Sequence, residues 1–79
     1  KFDSQAIQNT DFSESEFNNC SFLNTTIDSS TLEFTQFNDC IFDENSNFTN
    51  ILDFNKAKFS FKVNIGWGLL ENWQKNNLS

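Results

Sequence analysis

Histidine, proline, tyrosine and methionine are absent from these 79 residues, and glycine and cysteine occur twice each. Without His the chain lacks the commonest general base and metal ligand. Two cysteines do not close a four-ligand zinc site by themselves. Basic side chains are missing from residues 2–55, where ten acids stand alone. So acidic a stretch repels phosphate backbones and anionic headgroups, which excludes direct nucleic-acid binding by it. No apolar run approaches the roughly 18 residues of a membrane span, and no charged-then-apolar leader opens the chain. The chain begins at Lys1 with its repeat already running at Phe2, so we read it as a soluble piece of a longer protein with further domains.

What the chain does have is phenylalanine, eleven of them, beside thirteen asparagines. A solvated tail has no use for so much Phe, and disorder is excluded. Large apolar residues stand at Phe2, Ile7, Phe12, Phe17, Phe22, Ile27, Leu32, Phe37 and Phe42, nine positions five apart. Two residues before them runs a second series: Gln5, Thr10, Ser15, Cys20, Thr25, Ser30, Thr35 and Cys40. All but Gln5 are small.

A spacing of five fits neither regular element. On a helix, five steps advance about 140°, so the apolar residues would spiral around the cylinder. On a straight strand an odd spacing flips the side chain each time. The series stays on one side only where the chain turns a corner once per repeat. The run Phe17-Asn18-Asn19-Cys20-Ser21-Phe22 returns twenty residues later as Phe37-Asn38-Asp39-Cys40-Ile41-Phe42. Four repeats therefore make one square coil, with residues twenty apart stacked at about 4.8 Å. The expected core columns are Phe2/Phe22/Phe42, Phe12/Leu32, Phe17/Phe37 and Ile7/Ile27.

Cys20-Ser21-Phe22, Thr10-Asp11-Phe12 and Thr35-Gln36-Phe37 resemble the motif of the pentapeptide-repeat family over about residues 2–44. That motif is a small residue, a polar one, then Leu or Phe, with two variable positions. The resemblance implies an all-β solenoid, a right-handed quadrilateral parallel β-helix of about 20 residues per coil. Gln5 departs from the small-residue rule in the first turn. The family motif speaks to fold and hardly to function.

After Phe42 the register slips, near residues 43–51. Phe48 comes one place late, Leu52 and Ala57 keep the old phase, and Phe54 and Phe59 follow a phase two residues later. The stretch 43–49 reads as a bulged corner or short loop. We place the β-helix at 1–55, and a final strand, turn and capping or linker helix at 56–79. Alternation from Ala57 to Ile65 reads as a half-buried strand. Gly66-Trp67-Gly68 reads as a turn, and Leu69 to about Asn77 as a helix that buries Leu69, Leu70 and Trp73. A solenoid needs a cover over its last open ring, and the tail supplies one.

No catalytic, cofactor or metal residue is assigned. Cys20 and Cys40 sit at the small inward position as free thiols without a His to activate them. Most of the acids, such as Glu14, Glu16 and Glu33, face outward on a convex, solvated surface. Leu23, Phe34 and Ile41 are apolar at outward positions, and with Trp67 and Trp73 they are the candidates for holding a protein partner.

Three function classes remain. The first is a protein-interaction module of a larger bacterial protein. It resembles the β-helical domain that precedes the catalytic lobes of secreted HECT-like ubiquitin ligases, which would put the protein in a host cytoplasm facing a host partner. The second is an acidic DNA mimic that binds and protects gyrase, as one group of pentapeptide proteins does. The third is a structural spacer.

Overall fold

The computed structural model describes residues 1–77, so the last two residues of the 56–79 segment lie outside it. Its organising feature is a left-handed backbone residue once per repeat. Ser4, Asn9, Glu14, Asn19, Asn24, Ser29, Phe34 and Asp39 all have φ between 52° and 61°. Each stands two places after an inward apolar residue and bends the chain through a corner. Asn, Asp and Ser suit such corners, because short polar side chains tolerate the left-handed region and bond locally. This is how a period of five keeps one face inward.

Between corners the chain runs in short strands: β1 (Ala6–Gln8), β2 (Glu16–Asn18), β3 (Thr26–Asp28), β4 (Gln36–Cys40), β5 (Asn47–Thr49) and β6 (Lys58–Phe61). They form two parallel three-stranded sheets, β1-β3-β5 and β2-β4-β6. Ile7 pairs with Ile27 and Ile27 with Phe48, while Phe17 pairs with Phe37 and Phe37 with Phe59. Single parallel bridges join Ser21 to Ile41 on a third face, and Thr31 to both Asp11 and Leu52 on a fourth. The coil thus passes four faces per turn, two of them sheets. β6, expected in the tail, is the last rung of the second sheet.

The core columns stack as the twenty-residue period requires. Phe2, Phe22 and Phe42 lie ring on ring at 4.9 and 5.0 Å, with planes 6° apart at each step. Phe17, Phe37 and Phe59 stack at 5.1 and 4.7 Å. Neighbouring columns meet edge to face, as Phe22 and Phe37 do at 5.6 Å. Both geometries favour the ring quadrupoles. Phe2, Ile7, Phe12 and Phe17 are only half-buried, because no coil lies beneath them in the structure.

The small inward residues carry more than their size. Thr35 donates to the Phe12 carbonyl at 2.8 Å, and the Cys40 thiol to the Phe17 carbonyl at 3.3 Å. Thr25 donates to the Phe2 carbonyl, and Ser46 to that of Phe22 at 2.7 Å. Each bond reaches from one coil to the carbonyl of the apolar residue in the coil before. No buried side-chain N or O among the described residues lacks a partner.

The slip after Phe42 is one extra residue, taken up at the corner Asp43–Ser46. Asp43 Oδ1 accepts from the Asn24 N–H and the Asn45 N–H, and the Ser46 hydroxyl accepts from the Asp43 N–H, each at 3.0 Å. Ser46 thereby takes the small inward place one position late, and Phe48 the large one. Leu52 does not keep the old phase as expected. It is 66% exposed, and Ile51 is buried in its stead. A left-handed Asp53 and a 3-10 turn at Phe54–Lys56 then bring Phe54 inside.

The cap differs from expectation at its start. The strand stops at Phe61, so Val63 and Ile65 are exposed. Gly66-Trp67-Gly68 is not a turn but the opening of helix α1 (Ile65–Asn77). A Cβ on Gly66 would lie 2.3 Å from the Phe61 ring, so that glycine is a close approach. Trp73 packs edge-on against Phe48 at 4.7 Å and Phe42 at 5.0 Å, closing the last ring. Asn77 completes the cover in the manner of a further rung. Its Oδ1 accepts from the Ile51 N–H at 3.0 Å and its Nδ2 donates to the Phe48 carbonyl at 2.9 Å. These bonds satisfy a strand edge that would otherwise template pairing with other chains.

Candidate functional site

The five candidate residues do not converge. Leu23 and Ile41 are half-buried, on the face that carries Phe22 and Phe42. Phe34 stands at the corner between the Leu32 and Phe37 faces, 59% exposed. Trp67 is 51% exposed on the first turn of α1, edge-on to Phe61 at 4.9 Å. Trp73 is 2% exposed, and its Nε1–H donates to the Ser46 carbonyl at 3.4 Å. Its ring closes the core and offers no surface to a partner.

Two surface features escaped the sequence reading. Leu52 joins Asn9, Asp11, Thr31 and Asn50 in a broad, shallow groove of about 490 Å³. Lys56 and Lys58 stand beside Phe34, with Thr35 and Gln36, around a smaller recess of about 130 Å³. Lys56 Nζ lies 5.8 Å from the centre of the Phe34 ring, within cation–π range. It is held there by Glu33 at 3.3 Å and Asp53 at 3.8 Å. The register slip explains why this grouping was not foreseen. Together with a second extra residue at the Asp53 turn, it moves Lys58 opposite Gln36, twenty-two residues on instead of twenty.

The thiols are structural. Cys40 is fully buried, and burial pushes its thiol pKa up, away from the thiolate a nucleophile needs. Cys20, half-buried, donates to the Asn18 carbonyl at 3.5 Å. Both are free. The depressed carboxylates are explained by local bonds. The Ser21 hydroxyl, at 2.6 Å, chiefly holds Asp3 below the ordinary carboxylate range, with the Leu23 N–H assisting. For Asp28 the Asn50 side chain and the Thr49 hydroxyl do the same. Among the described residues no three His, Cys, Asp or Glu are grouped to hold a metal ion. Nor is any helix among them long and apolar enough to cross a membrane.

Residues 7–43 match the family model described as pentapeptide repeats, in 8 copies. This stretch is a pentapeptide-repeat solenoid. No curated protein matches the chain, and no solved structure does. The matched segment takes in three of the four faces of the first coil and the whole second coil, and it ends at Asp43 where the register slips. Phe34 lies within the matched residues, while Lys56, Lys58 and Trp67 lie beyond them.

Proposed function

We propose that this chain is a protein-interaction module of a larger protein, built on a right-handed four-sided β-helix. The supporting observation is where apolar surface is left over. The core leaves no buried side-chain N or O unbonded among the described residues, yet Phe34 and Trp67 stand more than half exposed on this rigid frame. Aromatics held outward on a rigid frame are what partner recognition uses. In this reading the coils up to β6 supply the frame and helix α1 closes it.

The finer reading assigns the module to a secreted bacterial HECT-like ubiquitin ligase that acts on a host protein. It is supported by the resemblance of the repeat and its aromatic tail to the recognition domain of such enzymes. The full-length protein is then expected to form a thioester with ubiquitin. Deleting residues 1–79 spares that thioester and abolishes modification of the partner. A full-length protein that takes up no ubiquitin refutes the ligase reading. A deletion that leaves partner modification or capture intact refutes the module itself.

The gyrase-mimic reading has the ten acids of residues 2–55 in its favour. Its difficulty is shape. The described body measures 25 × 22 × 20 Å, with no long axis to imitate a duplex. Lys56 and Lys58 also interrupt the acidic surface. Gyrase protection by the purified chain reverses the ranking.

A further inference from the structure

We propose that the Phe34 corner binds an acidic protein segment, one that carries an apolar side chain beside its carboxylates. The inference rests on the interaction-module reading and names the chemistry of the partner.

Phe34 breaks the rule that every other corner obeys. Ten described residues have left-handed φ, and the other nine are Ser, Asn, Asp or Glu. A bulky ring at φ 58° is a backbone outlier. Burial does not offset it, because the ring is the most exposed aromatic of the molecule's described part. A residue that is unfavourable both in conformation and in exposure points to use at the surface.

The surroundings say what kind of use. Lys56 is fixed over the ring by Glu33 and Asp53. No carboxylate lies within ion-pair distance of the Lys58 ammonium among the described residues. Gln36, in register with Lys58, adds an amide donor at the same recess. The coils around it are acidic, whereas residues 56–75 hold four lysines and one Glu. Attraction for a carboxylate is therefore concentrated at the last coil, beside the exposed ring. A carboxylate on Lys58 and Gln36 places the next side chain of the ligand over Phe34. Glu33 rejects ligands with more than a narrow acidic front, which favours alternating acidic and apolar residues.

The test is an NMR titration of the ¹⁵N-labelled chain with acetyl-Glu-Leu-Glu-Leu-amide. Acetyl-Gln-Leu-Gln-Leu-amide and acetyl-Lys-Leu-Lys-Leu-amide are the controls. The acidic peptide shifts the amides of Phe34, Thr35, Gln36 and Lys58 saturably, less so as salt is raised, and the controls do not. Lys58→Glu and Phe34→Asn each weaken the binding about tenfold. Phe34→Asn also raises the urea midpoint, since Asn suits the left-handed corner. A variant that binds less while melting later separates recognition from folding. Equal shifts with the lysine peptide overturn the proposal, as do shifts that map to Trp67. So does a Phe34→Asn variant that binds unchanged or melts earlier. Concentration-dependent shifts of the same amides without peptide assign the corner to a second copy instead. None of these results touches the module reading, which stands or falls on the deletion in the full-length protein.

Discussion

The Thr35 hydroxyl donates to the Phe12 carbonyl at 2.8 Å, tying one coil to the next inside the core. The small inward position of the repeat is thus a bonding position as well as a place where space is short. Thr35→Val keeps the shape and removes the donor. It is expected to lose about 1–2 kcal/mol in urea melts, while Thr35→Ser retains the bond. Thr10 holds the same small inward position in the first coil, one face earlier, but it donates only locally, to the Gln8 carbonyl at 3.0 Å. Thr10→Val therefore has the smaller effect. Equal losses at the two sites contradict a role for the bond between coils.

The inward and outward assignments are tested at Phe22 and Asn24. Phe22 is stacked on both sides and fully buried, so Phe22→Ala is expected to lose about 3–5 kcal/mol. Asn24→Ala would be neutral on exposure alone. Asn24 has φ 52°, however, and Ala there loses roughly 1–2 kcal/mol. Asn24→Gly removes that conformational penalty. An Ala variant as stable as the Gly variant shows that the corner does not require a left-handed residue.

Acid sensitivity follows from Asp43. The Asn24 N–H, with Ser46 and Asn45, holds its carboxyl below the ordinary value near 3.9 against the opposing effect of partial burial. A folded-state pKa below the unfolded one adds stability above the unfolded value, and that share is lost as pH falls through the folded one. Asp3, Asp11 and Asp28 are shifted in the same direction. Stability is therefore expected to fall on acidification below about pH 4. Asp43→Asn keeps an acceptor oxygen and should flatten the profile. A variant with the wild-type slope assigns the acid loss to the other carboxylates.

The repeat was legible because its period constrains the backbone itself. A corner every five residues and a coil every twenty leave the Phe columns no other arrangement. Where the chain leaves that period, side-chain pattern stops determining the path. Leu52 kept phase with Leu32 by count, yet Ile51 went inside, because the extra residue at the Asp43 corner moves everything after it. A second extra residue, at the Asp53 turn, set Lys58 beside Phe34. Trp73 was foreseen both as a cover and as an anchor, and only the packing against Phe42 and Phe48 decided between them.

Gly66 and Gly68 show how a local signal misleads, and they supply the sharpest paired test. Gly-Trp-Gly reads as a turn because glycine weakens a helix. Both glycines lie instead within the first turn of α1. At Gly66 a methyl group would meet the Phe61 ring at 2.3 Å, so the ring or the helix must move. At Gly68 nothing lies within 4 Å of the added atom. Gly68→Ala is then expected to gain up to about 1 kcal/mol from helix propensity. Gly66→Ala gains the same propensity but loses roughly 1–3 kcal/mol to overpacking, for a net loss. Urea melts of the two variants, run beside helix content from circular dichroism, decide the matter. Opposite signs support a cap docked tightly on Phe61. Stabilisation by both substitutions means that α1 does not approach Phe61 closely, and destabilisation by both restores the turn.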